Sequence, residues 1–207
     1  MRAWDELDPA WRAAFELAWE AYSAGSIPVG AVVTREEAIV ARGRNRLFEI
    51  EAPAGEVAGT RIAHAEMNAL AHLPLDKRYY DCVLSTTLEP CAMCIGAAWV
   101  GTIGVVRYAG ADVYAGSAKL IEAQLERTDR ARHDPLPVEG PVEGPFGVLG
   151  ELLHVAWFLH RRPQHRVTEI FRERCPDVVA LAERALLDEH VGAPLEETLP
   201  SFFEALR

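Results

Sequence analysis

The sequence predicts an α/β protein: a three-layer α/β/α arrangement around a mixed sheet, followed by a helical C-terminal extension. Three observations lead there. Over the first 127 residues, helical and strand spacing of apolar side chains alternate in the order αββαβαβα, which calls for helices on both faces of one sheet. A proline- and glycine-rich connection covers 128–149, with Pro135, Pro137, Pro141 and Pro145. From 150 to 207 the pattern is helical again, broken at Pro163, Pro176 and Pro194.

The elements follow in order. Asp8 suits a helix cap and Pro9 the first helical position; Trp11, Phe15, Ala18, Trp19 and Tyr22 recur at helical spacing until Gly25. Strands are expected over Ile27–Thr34 and Ala38–Gly43, joined by a tight Arg-Glu-Glu turn. Residues 44–62 are irregular, with Pro53, Gly55 and Gly59, and a loop of that length is often functional. A helix starts near His64 and ends before Pro74. A buried strand covers Cys82–Thr87, and Pro90-Cys91 opens a helix that runs to Val100. A strand over Ile103–Tyr108 and a helix over Ser117–Arg127 complete this part. In the extension, helices are expected over 150–162, 165–174, 176–191 and 194–206. The first of them is apolar nearly all round, so it must be buried against the core or another subunit.

Half of the 207 residues are hydrophobic and a quarter are charged, enough for one domain with a sizeable core or a core with an appendage. No stretch approaches the roughly 18 apolar residues of a membrane helix, and the N-terminus lacks a signal peptide's apolar run. A cytoplasmic protein with no membrane partner is expected. The net charge of −10 is spread along the chain. Binding a phosphate backbone needs a basic surface, and only Arg161, Arg162, His165, Arg166, Arg172 and Arg174 cluster enough to offer one. The acidity therefore disfavours nucleic acid. Cys82, Cys91, Cys94 and Cys175 are the four cysteines, and in a reducing compartment a close pair points to metal or catalysis rather than a disulfide.

Two clusters carry chemistry: His64-Ala65-Glu66 and Pro90-Cys91-Ala92-Met93-Cys94. Cys91 and Cys94 are three apart at a helix start, so both sulfurs lie on one face, where the helix dipole and free amides favour thiolates. With one imidazole added, zinc has three protein ligands and a fourth position open, the catalytic rather than the structural arrangement. Zinc so held lowers the pKa of a water it binds. Glu66, two residues from His64, is placed to take that water's proton.

The sequence resembles the zinc-dependent cytidine/deoxycytidylate deaminase superfamily, whose H-x-E…P-C-x-x-C signature these residues reproduce. Ser85 to Ala97, Ile27 to Val33, Gly43-Arg44-Asn45-Arg46 and Asp112 look most like the branch of tRNA adenosine deaminases and guanine deaminases. The resemblance covers about residues 9–120 and implies a cytidine deaminase-like fold. It also implies that His64, Cys91 and Cys94 hold Zn2+ and that Glu66 shuttles protons as water displaces ammonia from an amino-bearing ring. By the same resemblance Asn45 hydrogen-bonds the ring, the Ala65 amide donates to a ring substituent, and Ile27 and Pro28 form part of the pocket wall. Asp112 is a further candidate for substrate binding, and at least a homodimer is expected. Two differences fall at the pocket rim: Thr60-Arg61-Ile62-Ala63 stands where the tRNA enzymes usually have Asp-Pro-Thr-Ala, and the preceding loop is longer. Together with Ala111 and the acidity, they favour a small purine-type base or nucleoside over tRNA. A tRNA-editing adenosine deaminase is the alternative, and a non-catalytic scaffold with a structural zinc is a third reading. The third would need a fourth ligand from Cys82, Cys175, His72 or His133. The C-terminal helices are expected to lid the pocket or extend a dimer.

Overall fold

The computed structural model describes residues 2–120, 122–124, 129, 133–185 and 187–205. A short helix α1 (Arg2–Asp5) precedes α2 (Pro9–Ser23), where the Asp8 side chain accepts the Ala10 amide at 2.7 Å. Next come β1 (Gly30–Arg35), β2 (Ala38–Arg44), α3 (Ala65–Ala71), β3 (Cys82–Leu88), α4 (Ala92–Val100) and β4 (Val105–Gly110). They form one sheet in the order β2-β1-β3-β4-β5, where β5 is the two-residue strand Val138–Glu139. The β2–β1 and β1–β3 pairings are antiparallel and the β3–β4 and β4–β5 pairings parallel, so the sheet is mixed, as the element order predicts.

Strand alternation assigns the layers. On one face Ala31, Val33, Leu84 and Val106 pack with Ala65 and Ala69 of α3 and Ile95 and Ala98 of α4. On the other, Phe15, Ala18 and Trp19 of α2 pack with the long helix α5 (Pro145–Arg161). Close approach fixes how tightly the layers sit. A Cβ on Gly43 would lie 2.2 Å from the Ala69 amide nitrogen, and one on Gly150 would lie 2.2 Å from the Thr87 carbonyl. Only glycine lets α3 rest on β2, and α5 on the ends of β3 and β4, at that distance.

The expected apolar helix is thus a layer of the core: Leu152, Leu153 and Ala156 are fully buried. It begins at Pro145 rather than near 150, because proline at the first turn forfeits an amide that needs no helical partner. After it come α6 (Arg166–Arg174), capped by the His165 side chain, α7 (Pro176–Ala185) and α8 (Leu195–Ala205). Helix α7 ends earlier than expected, and Leu187–His190 continues as a 3-10 turn.

Two strands start later than the sequence suggests, for local reasons. The Val29 amide donates back to the Ile27 carbonyl at 2.8 Å, which keeps Ile27–Val29 out of the ladder. The Gly104 amide donates to the Tyr79 and Cys82 carbonyls, so Ile103 and Gly104 belong to the turn before β4. Of the helix expected over Ser117–Arg127, residues 118–120 form a turn and Glu122–Gln124 a 3-10 segment; residues 121 and 125–127 lie outside the described residues. Among the described residues no helix is long and apolar enough to cross a membrane.

Candidate active site

Functional residues gather where β3 and β4 end, the position at which open α/β sheets bind ligands. The chain leaves β3 at Leu88 and enters α4 at Cys91, and leaves β4 at Gly110 two residues before Asp112. His64 and Cys91 are the N-cap residues of α3 and α4, both in extended backbone and neither capping with its side chain. That geometry brings the two side chains towards each other, with Cys91 also facing Cys94 in the first turn of α4.

The three donor atoms form a near-equilateral triangle. Cys91 Sγ and Cys94 Sγ are 3.6 Å apart, His64 Nδ1 is 3.6 Å from Cys94 Sγ, and His64 Nδ1 is 3.8 Å from Cys91 Sγ. With Zn–S near 2.3 Å and Zn–N near 2.0–2.1 Å, a tetrahedral zinc spaces such ligand atoms roughly 3.5–3.8 Å apart. The set fits zinc. Among the described residues, no fourth His, Cys, Asp or Glu donor joins this group. His72 instead approaches Glu56 and His133 the Asp129 carbonyl, while Cys82 is core and Cys175 caps α6. The hydrogen bond between the sulfurs draws the Cys91 thiol down to about 4 against the opposing effect of burial. The same bond, with burial, pushes Cys94 up. The pair thus already favours losing one proton, as metal binding requires.

Glu66 is 3% exposed at the second position of α3, and its Oε1 accepts the Thr86 hydroxyl at 3.4 Å. Burial raises its pKa, so the carboxyl is poised to hold a proton as well as to release one.

A cavity of about 190 Å³ opens beside these groups. His64, Glu66 and Cys91 lie at its metal end, and Ile27, Val29 and Leu88 supply apolar wall. Asn45 also lines it, 2% exposed: its Oδ1 accepts the Leu47 amide, while its Nδ2 has no partner among the described residues. Asp112 lines the cavity too, although its Oδ1 accepts the Tyr114 and Ala115 amides at 2.8 and 3.1 Å, the ordinary turn-capping role. Pro28 and Ala65 are buried but do not line the cavity. Ile27 and Val29 do, and Pro28 between them is directed elsewhere.

Sequence reasoning missed several lining residues. Glu89 ties the rim together, its Oε2 accepting the Asp112 amide at 3.3 Å and its Oε1 the Ala118 amide at 3.0 Å. His154 and Phe158 come from α5, 90 and 94 positions after His64. The available signal was a single histidine inside the apolar run Leu152-Leu153-His154-Val155.

A wider vestibule of about 490 Å³ adjoins the cavity and shares Ile27, Tyr114 and Phe158 with it. Its outer wall carries Arg61, Arg162 and His165, and Arg162 lies over the Phe48 ring at 5.0 Å. The long 45–63 loop that builds this rim is held from below. Glu49 pairs with Arg44 and Arg46, and Glu56 with Arg46. Asn68, fully buried, accepts the Val57 amide and donates to the Arg44 and Val57 carbonyls. Asn68→Ala should therefore cost about 2 kcal/mol, because it removes three part-buried hydrogen bonds, from the Val57 amide and to two carbonyls. Urea unfolding monitored by circular dichroism checks this; a loss under about 1 kcal/mol would mean that the loop is anchored elsewhere.

Comparison with known proteins agrees with this geometry. The family model described as the cytidine and deoxycytidylate deaminase zinc-binding region matches residues 5–109. The chain is 41% identical over 117 residues to a tRNA(Ile)-lysidine synthase from Deinococcus radiodurans, an alignment covering 55% of this chain and 19% of that protein. It is 36% identical to a guanine deaminase from Bacillus subtilis, covering 51% of this chain and 65% of the relative. With a tRNA-specific adenosine deaminase from Aquifex aeolicus the identity is 34%, over 49% of this chain and 64% of the relative. The chain thus spans less than two thirds of these relatives' lengths. A solved structure from work on A-to-I editing by tRNA A34 deaminases superposes with a TM-score of 0.52 at 24% identity, covering 64% of this chain and 91% of that one. The fold is shared.

Proposed function

The chain belongs to the cytidine and deoxycytidylate deaminase zinc-binding family, and from that premise we propose that it is a hydrolytic deaminase releasing ammonia from a small purine-type nucleobase or nucleoside. The observation that carries this reading is the three-donor centre with no fourth protein donor among the described residues, beside the buried Glu66 and a cavity suited to one ring system. In this reading His64, Cys91 and Cys94 hold zinc. Zinc bound there supplies Lewis acidity that makes water nucleophilic near neutral pH.

The chain's own groups do the rest. Glu66 takes the proton of the attacking water, delivers it to a ring nitrogen, and returns a proton to the departing amine, so that ring amine and water become ring carbonyl and ammonia. Asn45 Nδ2 meets the ring edge, and the Ala65 amide, at the N-terminus of α3, donates to a ring substituent. Ile27 contacts a ring face with Pro28 supporting that segment, and Asp112 orders the rim while facing the substrate. This reading divides the chain into a deaminase core over 1–127, a connection over 128–149 and a helical extension over 150–207. A cytoplasmic location goes with the need to keep Cys91 and Cys94 reduced. A homodimer goes with the same reading: α4 has no charged residue and leaves Ala92, Met93, Gly96, Ala97 and Val100 at least partly open along one side. Light scattering should give twice the chain mass.

An ammonia-release screen of the zinc-loaded protein against adenine, guanine, cytosine and their nucleosides tests the activity. Turnover of at least one purine is expected; none, with zinc present, would overturn the small-base reading. The vestibule supports a second reading, a tRNA-editing adenosine deaminase, since Arg61, Arg162 and His165 line it without a carboxylate. In that case affinity for an anticodon stem-loop should fall steeply with salt, whereas turnover of a free base should be nearly salt-independent.

A further inference from the structure

The geometry points to His154 as a substrate-contacting, specificity-determining residue contributed by the C-terminal part of the chain. It would hydrogen-bond the edge of an amino-heterocycle that carries a second polar group, an oxo or ring N–H, away from the leaving amine. This inference rests on the deaminase reading above and goes beyond it, because the family match ends at residue 109 and assigns nothing in α5.

Four observations carry it. His154 is 6% exposed and lines the same cavity as His64 and Glu66. Its ring is clamped edge-on by Phe158 at 5.2 Å and Phe171 at 5.3 Å, and among the described residues neither of its nitrogens has a hydrogen-bond partner. The imidazole nitrogens are not sealed in the core but stay open to the cavity, where a ligand can satisfy them. An imidazole retained there, aimed into a small cavity, is matched to a ligand. Burial also holds its pKa below the usual histidine range, with Asp112 pulling the other way. A neutral imidazole presents one N–H donor and one lone pair, the complement of a lactam-like edge.

Asn45 offers the cavity a further nitrogen without a partner among the described residues, on the segment following β2, while His154 sits on α5. Two polar groups from separate elements, with apolar walls between them, are what orients a flat ring. Phe158, one helical turn after His154 and lining the same cavity, supplies part of that wall.

The test compares His154→Phe and His154→Gln with the parent chain, all zinc-loaded. Binding is measured in the Glu66→Gln background so that nothing turns over, using guanine and cytosine (oxo and amino) against adenine and 2-aminopurine (amino only). For His154→Phe, the dissociation constant of the best-bound oxo-bearing ring should rise tenfold or more, and that of the amino-only rings less than threefold. Zinc content should stay at one per chain, and the melting temperature should stay level or rise. His154→Gln should recover part of the affinity. With Glu66 intact, the phenylalanine variant should raise KM more than it lowers kcat. Equal binding of all four bases with and without His154 would overturn the assignment while leaving deaminase activity standing. So would a lowered melting temperature in both variants, which marks a packing role. If no base binds the parent chain with zinc present, the small-base deaminase reading itself fails, and this assignment with it.

Discussion

Glu66→Gln should lower ammonia release by about 10²–10⁴-fold, the range that a positioned proton shuttle contributes, while zinc content and melting temperature stay near those of the parent. The substitution keeps the side chain's shape and its contact with the Thr86 hydroxyl, 3.4 Å away. It removes only the capacity to accept and return a proton. Burial supports that capacity: at 3% exposure the carboxyl is pushed above its ordinary range, which brings its affinity for protons closer to what transfer at neutral pH needs. Because Glu66 is not part of the donor triangle, its loss should not release metal. Measuring kcat/KM alongside zinc by atomic absorption separates the two effects. A variant within threefold of the parent would remove Glu66 from the chemistry; a variant that also loses its zinc would make it a ligand.

Cys94→Ala should bring activity to background by a different route. Cys94 is fully buried and is the donor nearest to both partners, 3.6 Å from each. Removing it leaves one imidazole and one thiolate, too few to hold zinc without a compensating ligand, and no other donor of the described residues is in reach. Bound zinc should fall from about one per chain to near zero, and the melting temperature should match that of chelator-treated parent protein. Zinc retained at full stoichiometry would show that a water or an undetected side chain completes the site. In that event the open position on which the proposed reaction depends would have to be sought elsewhere.

The site was legible in the sequence to the extent that it is local. His64 and Glu66 are two apart and Cys91 and Cys94 three apart, and short spacings at helix starts are governed by backbone geometry that any window of ten residues specifies. The Asp8 cap, the buried strand over Cys82 and the sheet layers were readable for the same reason. Hydrophobic periodicity also found the long apolar helix, but placed its start five residues late, because proline inside a glycine-rich stretch reads equally well as linker or as a first helical turn. The two-residue strand Val138–Glu139 was invisible, since so short a segment has no period. The sequence makes Asp112 a candidate for substrate binding, yet its hydrogen bonds to Tyr114 and Ala115 depend on a turn whose shape no spacing states.

The residue types and intervals alone determined the candidate metal donors, the carboxylate beside them and the order of layers, because each follows from dihedral preferences and burial acting over a few neighbouring positions. Which side chains close the ring pocket was decided by tertiary packing. His154 and Phe158 reach it only because Gly110 and Gly150 let α5 settle against the ends of β3 and β4, and Ile27 and Val29 line it only because a backward hydrogen bond lifts them out of β1. Contacts between positions so far apart in the chain depend on how whole layers dock, a property of summed surfaces that no short stretch of sequence contains.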